Sequence, residues 1–316
     1  MEAKIKDLAL KYFDQVGFAK ATRPLTMDYY DSWIKNGYHG NMEYLRRHQN
    51  RKSNPQSLLP GARTWITLAL DYDTGEPLSL NIKEEMLREK KGWISRYARN
   101  GDYHKEIAKR HEMLVGELSL MFPGEKFLGC VDTKPVLERD VAQQSGLGWI
   151  GKNTCLINKD LGSFLFLSEI LTTLLMVADN PVADHCGTCT KCLDSCPTGA
   201  FISPRHLDAT KCISYWTIEN ETPPPLELAK KFGTNVFGCD ICQDVCPWNS
   251  KSRRTRQLKT PGESSGILDL EKFSKMSDED IQEFLDGTAM DRATPQHFRQ
   301  NIEITLENLR RDSYEG

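Results

Sequence analysis

The first part of the chain combines helical and strand-type patterns of hydrophobic residues. Continuous apolar runs predict buried strands at 65–70, 126–131 and 163–170. Helical spacing predicts helices at 83–99, 104–121 and 135–145. An opening amphipathic helix is predicted from apolar residues that recur every three or four positions, namely Ile5, Leu8, Ala9, Tyr12, Phe13 and Val16. Residues 1–180 are therefore predicted to form one α/β or α+β domain.

The pattern changes after this domain. Residues 181–250 hold most of the cysteines and are predicted to form a small metal-binding domain. Residues 251–316 are predicted to form a helical tail. The start of the tail is basic, with Lys251, Arg253, Arg254, Arg256 and Lys259.

Composition and charge narrow the class of protein. Of 316 residues, 39% are hydrophobic and 27% are charged, which is typical of a globular protein with a core. The net charge of −3 gives no overall basic field, so contact with nucleic acid would depend on local patches. Charges interrupt the N-terminus, unlike a secretory signal, and the apolar stretch 164–178 is too short to span a bilayer. We expect a soluble, cytoplasmic protein with no membrane partner.

Eight of the ten cysteines fall between Cys186 and Cys246. The first four have the spacing Cys-x2-Cys-x2-Cys-x3-Cys-Pro of bacterial ferredoxins, in which the fourth cysteine binds the other cluster. In the second four, an insertion at 213–238 separates one cysteine from a Cys-x2-Cys-x3-Cys-Pro run. Applying the same crossing to both halves predicts two 4Fe–4S clusters. Cluster one takes Cys186, Cys189, Cys192 and Cys246, and cluster two takes Cys196, Cys212, Cys239 and Cys242.

A pair of zinc sites is the alternative interpretation of these cysteines. Zinc accepts Cys-x2-Cys pairs, but it requires neither three cysteines at this spacing nor a Cys-Pro that closes both halves. Iron–sulfur clusters are therefore favoured. Cys130 and Cys155 lie in apolar contexts and are predicted to be packing residues. Because the clusters only move single electrons, another part of the chain must bind a substrate or a further cofactor.

The glycine-rich segment 146–153 lies between a predicted helix and a predicted strand. It matches neither the dinucleotide-binding fingerprint nor a Walker A loop, so nicotinamide cofactors and nucleoside triphosphates are not supported. Together with Asp132, this turn is the best candidate for a substrate or cofactor site. A tight connection between a helix and a strand would produce the same pattern.

Several motifs resemble one known family. Ahead of the cysteines they are Leu58-Leu-Pro-Gly-Ala-Arg63, Arg96-Tyr-Ala-Arg-Asn-Gly-Asp-Tyr-His104, Val131-Asp-Thr-Lys-Pro-Val-Leu-Glu-Arg139 and Gly146-Leu-Gly-Trp-Ile-Gly-Lys-Asn153. Within the cysteine segment they are Cys212-Ile-Ser-Tyr-Trp-Thr217 and Phe237-Gly-Cys-Asp240. In this order the series resembles the epoxyqueuosine reductases along nearly the whole chain.

The resemblance implies a fold and an activity. The fold would be a nitroreductase-like cobalamin-binding domain, a bacterial ferredoxin-like domain with two 4Fe–4S clusters, and a short helical C-terminal tail. The activity would be the final step of queuosine biosynthesis, reduction of the epoxide of epoxyqueuosine at the wobble position of tRNA. Cobalamin would be base-off, and the sequence has no Asp-x-His-x-x-Gly motif that would supply a histidine ligand to cobalt.

The resemblance also assigns site residues. Asp132 corresponds to the family's proton donor, for which helix capping is the alternative role. Donation at neutral pH requires a raised pKa of Asp132, which burial beside the corrin ring is expected to provide. The cobalamin contacts carried over are Asp132 itself with Lys52, Ser95, Lys152, Asn153, Leu156, Leu167, Ser214 and Asp240. For Leu156 and Leu167, core packing is an equal alternative.

Partners follow from the resemblance and from local charge. Two basic groups are expected to contact tRNA phosphates, with a solvated surface as the alternative. They are Arg46, Arg47, Arg51 and Lys52, and the basic start of the tail with Arg292, Arg299, Arg310 and Arg311. Some family members add HEAT-like repeats, so a chain that ends at Gly316 is expected to grip tRNA differently.

We further expect a monomer supplied by an unidentified flavodoxin- or ferredoxin-type electron donor. Two other functions stay open. One is a reductive dehalogenase-like enzyme acting on a small organohalide, and the other is an electron carrier with no substrate of its own.

Overall fold

The computed structural model describes residues 1–251 and 266–315. The helices are Glu2–Ala9 (α1), Met27–Lys35 (α2), Glu43–Arg47 (α3), Gln49–Lys52 (α4), Lys83–Arg88 (α5), Tyr103–Met121 (α6), Glu138–Gln144 (α7), Lys191–Asp194 (α8), Leu226–Ala229 (α9), Ile241–Asp244 (α10), Pro247–Lys251 (α11), Leu270–Phe273 (α12), Asp278–Leu285 (α13) and Pro295–Glu315 (α14). The strands are Gln15–Lys20 (β1), Thr64–Asp71 (β2), Lys91–Ile94 (β3), Phe127–Cys130 (β4), Trp149–Ile150 (β5), Leu156–Ile157 (β6), Leu165–Thr172 (β7), Phe201–Ser203 (β8), His206–Leu207 (β9), Asn235–Phe237 (β10) and Ile267–Asp269 (β11). No helix in these ranges has both the length and the apolar content to cross a bilayer.

A four-stranded antiparallel sheet in the order β1-β2-β7-β4 organises the first part of the chain. The central pair β2 and β7 runs from Thr64 opposite Thr172 to Asp71 opposite Leu165. Every residue of β2 is buried, as expected for a continuous apolar run covered on both faces. The three strands predicted from apolar runs are thus present as β2, β4 and β7.

Helices cover both faces of this sheet. On one face, α1 and α6 contribute residues such as Leu8 and Leu114 to the largest apolar cluster. On the other face, Val141 of α7 packs with Trp65, and Ala142 packs with Ala69. Because α7 follows β4 after a short loop, that loop is held at the sheet edge. The loop contains Asp132.

Two predicted boundaries are wrong. The opening helix ends at Ala9, and Val16 belongs to β1 instead of the helix. The predicted helix at 83–99 breaks after α5, since Lys90 has a φ of 52° and β3 begins directly afterwards. Gly92 in β3 permits close packing, because a Cβ there would lie 2.5 Å from Val236 and 2.7 Å from Leu270.

A second sheet links distant parts of the chain. β3 lies between β10, to which it is parallel, and β11, to which it is antiparallel. Each of the three predicted domains contributes one strand to this sheet. The domain boundaries at residues 180 and 250 stay predictions. The described part of the predicted helical tail contains α12, α13 and α14, preceded by β11. Its basic start at Arg253, Arg254, Arg256 and Lys259 lies outside the described residues.

The long helix α14 holds the segment inserted between Cys212 and Cys239. Asn301 donates from Nδ2 to the carbonyl of Thr217 at 3.0 Å, and Asn308 donates to the carbonyl of Ala229 at 2.9 Å. A nitrogen of His297 lies 2.9 Å from the carbonyl of Trp216. These side chains fix a π-helical turn at Tyr215–Glu219. Glu219 at its end thereby reaches the site described below.

Glu169 gives a prediction about stability. It lies fully buried on β7, and neither carboxylate oxygen has a hydrogen-bond partner among the described residues. Burial raises the pKa of Glu169 well above its usual value, and the charge of Glu138 adds to this. The neutral acid is then favoured in the folded state, so stability falls as pH rises above the unfolded pKa of about 4.3.

We expect Glu169→Gln to remove this loss. Thermal unfolding of the cobalamin-free protein is measured between pH 5 and 8. Over this range the melting temperature of the wild type should fall by several degrees more than that of the variant. Glu303→Gln, at an exposed position on α14, serves as the control and should follow the wild type. If the melting temperatures of wild type and Glu169→Gln change with pH in parallel, the protonation state of Glu169 does not change on unfolding.

Candidate active site and iron–sulfur centres

The four thiols predicted for cluster one line a single cavity. Cys246, from the end of the cysteine segment, meets Cys186, Cys189 and Cys192 there, and Lys152, His185, Lys191 and Trp248 also line the wall. Burial, with the nearby Cys246, Cys186 and Cys189, raises the pKa of Cys192 to about 11. Four converging thiols around one cavity fit a 4Fe–4S cluster, whose iron would hold them as thiolates.

Hydrogen bonds shape the loop around this cavity. The indole Nε1 of Trp149 donates to Sγ of Cys186 at 3.4 Å. Lys152 donates from Nζ to the carbonyls of Gly187 and Cys189, at 2.7 and 2.9 Å. Lys152 therefore holds the cluster-one loop, and its predicted contact with cobalamin stays a prediction.

The thiols predicted for cluster two also lie together. Burial, followed by the charge of Cys212 and with a contribution from Cys196, raises the pKa of Cys239 well above its usual value. Sγ of Cys196 lies 3.4 Å from both the backbone N of Ala200 and Oγ1 of Thr198. Cys242 completes the set, because its thiol interacts with those of Cys239 and Cys212.

Three further residues touch the cluster-two thiols or their loop. Ser214 hydrogen-bonds to Cys212 through its backbone and its side chain. The buried Asn153 donates from Nδ2 to the carbonyl of Cys242 at 3.3 Å. The Cys155 thiol hydrogen-bonds to that of Cys242, which lowers the pKa of Cys155 to about 7. Cys155 thus lies beside a predicted cluster-two ligand, a contact that the sequence alone did not indicate.

Asp132 stands at the end of β4 in an unusual backbone conformation. Its φ of 38° lies in the left-handed region, where aspartate is one of the few non-glycine residues found regularly. Its backbone N–H donates to Oε1 of Glu138 at 2.6 Å, and its side chain is 43% exposed. The loop therefore presents the carboxylate outward from a fixed backbone.

A histidine connects Asp132 to a second carboxylate. Nε2 of His104 lies 3.2 Å from Oδ2 of Asp132, and Nδ1 lies 2.8 Å from Oδ1 of Asp102. Asp102 is also the N-cap of α6, accepting from the backbone N of His104. The start of α6 thus fixes the imidazole against the loop that carries Asp132.

His104 sets the pKa of Asp132 in the protein without cofactor, and the raised pKa expected beside the corrin ring stays a prediction. The hydrogen bond with His104 lowers the pKa of Asp132, outweighing partial burial, and the charges of His104 and Arg292 lower it further. The same hydrogen bond raises the pKa of His104, with help from Asp102. The pair therefore favours carboxylate and imidazolium in the protein without cofactor.

Two neighbours add charge behind the loop. Burial raises the pKa of Glu138 to about 7, and the charge of Asp132 contributes. Lys52 donates from Nζ to the carbonyl of Val136 at 3.2 Å. Burial lowers the pKa of Lys52, while the charges of Glu138 and Asp132 oppose this shift. Lys52 thus lies on the same side of the molecule as Asp132.

An arginine, a glutamate and a tyrosine form another wall near Asp132. Arg292 donates from Nη2 to Oε2 of Glu219 at 2.9 Å, and its guanidinium lies over the ring of Tyr44, 5.7 Å from its centre. Burial raises the pKa of Tyr44, and Glu219 and Asp132 contribute through their charges. Arg292 is therefore placed beside Asp132, although the sequence assigned it to a basic surface.

The remaining predicted cobalamin residues lie mostly in the interior. Ser95 and Asp240 are buried, and Asp240 accepts from Oγ of Ser95 at 2.5 Å, Nε1 of Trp93 at 3.0 Å and the backbone N of Arg96 at 2.9 Å. Leu156 is buried in a small apolar cluster beneath α7, as the core-packing alternative requires. Leu167 packs against this cluster while keeping partial exposure.

Sequence reasoning missed several residues around Asp132. No role was assigned to His104, Glu138, Glu219 or Tyr44. A local signal for His104 exists, since an aspartate two positions ahead of it is a good helix cap that can also reach its ring. Glu219 lies on the inserted segment and Arg292 on the tail, and only the folding of these segments brings them near Asp132. Their sequence neighbours therefore do not indicate a role at the site.

Family models match two parts of the chain. Residues 185–249 match a 4Fe-4S double cluster binding domain. Residues 52–133 match the model described as Epoxyqueuosine reductase QueG, DUF1730. A double-cluster domain joined to an α+β domain that carries an acid–imidazole pair defines an iron–sulfur oxidoreductase.

Relatives of this chain define the family. The epoxyqueuosine reductase of Pseudomonas aeruginosa is 38% identical over 298 residues, which cover 94% of this chain and 82% of the relative. That of Gloeobacter violaceus is 37% identical and covers 93% of this chain and 92% of the relative. The chain belongs to the epoxyqueuosine reductase family.

A solved structure has the same fold over nearly the whole chain. The crystal structure of an epoxyqueuosine reductase with an epoxyqueuosine-modified tRNA stem loop superimposes with a TM-score of 0.86. It is 27% identical and covers 99% of this chain and 82% of that chain.

Proposed function

We propose that this protein reduces the epoxide of epoxyqueuosine in tRNA to the alkene of queuosine. Membership of the epoxyqueuosine reductase family carries the proposal, and the exposed Asp132 carboxyl beside a double-cluster domain supports it. The reaction takes up two electrons and two protons and releases the epoxide oxygen as water. The clusters supply the electrons, and Asp132 supplies a proton to the departing oxygen.

Cobalamin is the cofactor that this reaction needs between the clusters and the substrate. When bound, it supplies a low-valent cobalt centre that brings electrons to the epoxide. Lys52, Leu167 and Ser214 keep partial exposure and offer an amine, an apolar surface and a hydroxyl. This combination suits a flat macrocycle with amide side arms. Ser95, Asn153 and Asp240 are buried and would support the wall instead of reaching the ring.

Electrons are proposed to enter at cluster one and leave from cluster two. The cluster-one cavity is lined by the exposed His185 and Lys191. The cluster-two thiols lie deeper in the protein. Asp240, which follows the predicted ligand Cys239, accepts a hydrogen bond from the buried Ser95. A flavodoxin- or ferredoxin-type protein is proposed as the donor. The enzyme is proposed to act as a cytoplasmic monomer.

The tRNA is proposed to contact the surface around Arg47 and Arg51, which are exposed on α3 and α4. Other predicted phosphate contacts are already paired. Arg46 bonds to Glu43 at 2.7 Å, and Arg299 bonds to Asp278 at 2.6 Å. A positive charge next to a partner carboxylate adds less to phosphate binding, so Arg46 and Arg299 are expected to contribute less than unpaired arginines.

The test is anaerobic reconstitution with iron, sulfide and cobalamin, followed by reduction of an epoxyqueuosine-modified tRNA stem loop. We expect about eight irons per chain, a base-off cobalt signal in electron paramagnetic resonance, and loss of one oxygen atom from the modified base. The same protein prepared without cobalamin is the control and should be inactive. Fully loaded protein that leaves the epoxide intact would favour the electron-carrier alternative.

A further inference from the structure

Epoxide reduction requires more protons than one carboxyl holds. The leaving oxygen departs as water, so each turnover consumes two protons along with two electrons. Asp132 carries one transferable proton at most, and the hydrogen bond with His104 lowers its pKa. If the function proposed above holds, a second proton must be delivered within each turnover, and a group that contacts the Asp132 carboxylate is placed to deliver it.

His104 is the titratable side chain that touches the Asp132 carboxylate within the described residues. The separation from Nε2 to Oδ2 of Asp132 is 3.2 Å. Glu138, although close, contacts only the backbone N–H of Asp132, whose hydrogen is not exchanged in the reaction. Contact with the carboxylate itself therefore selects His104 over Glu138.

Asp102 makes His104 suited to this task. It accepts from Nδ1 at 2.8 Å, so both ring nitrogens face carboxylates and both can donate. Only the imidazolium satisfies both acceptors at once, and two nearby carboxylates stabilise its charge. The side chains of His104 and Asp102 are 31% and 21% exposed, so the ring can recover a proton from solvent.

Aromatic packing fixes the ring. The ring centre of Tyr103 lies 4.0 Å from that of His104, with 28° between the planes. Tyr103 also stacks on Phe166, with 4.3 Å between ring centres and 7° between planes. A stack of three rings limits rotation of the imidazole, so Nε2 stays directed at Asp132.

We propose that His104 supplies the second proton of the reaction by reprotonating Asp132, and that Asp102 positions it for this transfer. The imidazolium N–H bond breaks as the O–H bond of Asp132 forms, leaving neutral imidazole that takes a proton from water. No electrons move in this step. The other ionisable groups that surround the pair are Lys52, Lys105, Tyr44, Tyr97, Tyr103, Glu138, Arg139, Glu219 and Arg292.

The activity test uses the holoenzyme and the modified tRNA stem loop. His104→Gln is expected to lower kcat by about 10²-fold with KM unchanged, as for loss of a proton-transfer group. Wild-type kcat should fall as pH rises through the raised pKa of His104, because the imidazolium is the donor, and this alkaline limb should vanish in the variant. Added imidazole should restore His104→Ala by at least about tenfold. His206→Gln, at a half-buried position on β9, is the control and should keep wild-type kcat and pH dependence.

A second measurement does not depend on activity. In cobalamin-free protein with labelled histidine, His104 should titrate above the usual pKa of about 6.5, and Asp132→Asn or Asp102→Asn should each lower that value. Normal kcat and pH profile in His104→Gln, or a titration of His104 unchanged by Asp132→Asn, would overturn the proposal. A wild type that does not reduce the stem loop would refute the proposed function instead, while the titration would still report on the pair.

Discussion

Asp132→Asn is expected to lower kcat by about 10²–10⁴-fold while KM for the tRNA stem loop and the iron content stay unchanged. Asparagine has the shape of the carboxyl group but carries no acid proton for the departing oxygen. It also tolerates the left-handed backbone that Asp132 adopts at a φ of 38°, so the loop should keep its conformation. His104 can still donate to the amide oxygen, so the contact between His104 and the loop after β4 should be preserved.

This variant separates chemistry from binding. Stem-loop affinity, bound cobalamin and iron are measured beside kcat in the same preparation. Asp160→Asn changes an exposed aspartate on the turn after β6 and is the matched control, expected to behave as wild type. Full turnover by Asp132→Asn with cobalamin bound would remove Asp132 from the mechanism and direct attention to Arg292 or Glu138.

The features that the sequence predicts well rest on local rules. Cysteine spacing places Cys246 with the first three thiols, because the crossing of ligands is built into the ferredoxin repeat. The apolar run at 65–70 appears as β2, since a short continuous run of this kind is typical of a strand buried on both faces. Asp132 stands out because a polar residue ends an apolar strand.

The features that it predicts poorly depend on tertiary contacts. β3 looks helical by spacing, yet it pairs with β10 and β11, which lie far away in the chain. Ser214 and Lys152 belong to motifs shared with the family, but only the folded chain shows that both hydrogen-bond to the cluster loops. The hydrogen bond that lowers the pKa of Asp132 in the protein without cofactor also depends on a tertiary contact, since His104 approaches from another element.

The proposed routes of electrons and protons use different elements of the fold. On the electron route, Asp240 lies next to the predicted ligand Cys239 and accepts a hydrogen bond from Ser95. The acid–imidazole chain approaches from α6 and the loop after β4. A substitution at Asp132 should therefore leave the iron–sulfur clusters intact, and a cysteine substitution should leave the contact between Asp132 and His104 intact. The predictions for Asp132 and for the cysteines can then be tested independently.

Cys246→Ala is expected to abolish activity and to remove about four of the eight irons, because the chain would lose a ligand of cluster one. The crossed assignment gives a sharper expectation for pairs of substitutions. Cys186→Ala with Cys246→Ala should lose no more iron than either alone, since both bind the same cluster. Cys239→Ala with Cys246→Ala should lose nearly all of the iron, since these cysteines bind different clusters.

An uncrossed arrangement makes the opposite prediction, because Cys239 and Cys246 would then share one cluster and their double variant would retain the other. Iron and sulfide analysis with electron paramagnetic resonance of the reduced protein distinguishes the two arrangements. Cys130→Ala is the control, since this buried thiol lies on β4 away from both sets. The crossed arrangement has a functional consequence as well. Cys192 of one cluster lies on the short helix α8, and Cys196 of the other follows two residues after that helix ends. The predicted ligands of both clusters therefore share one short segment, which limits the distance that an electron must cross.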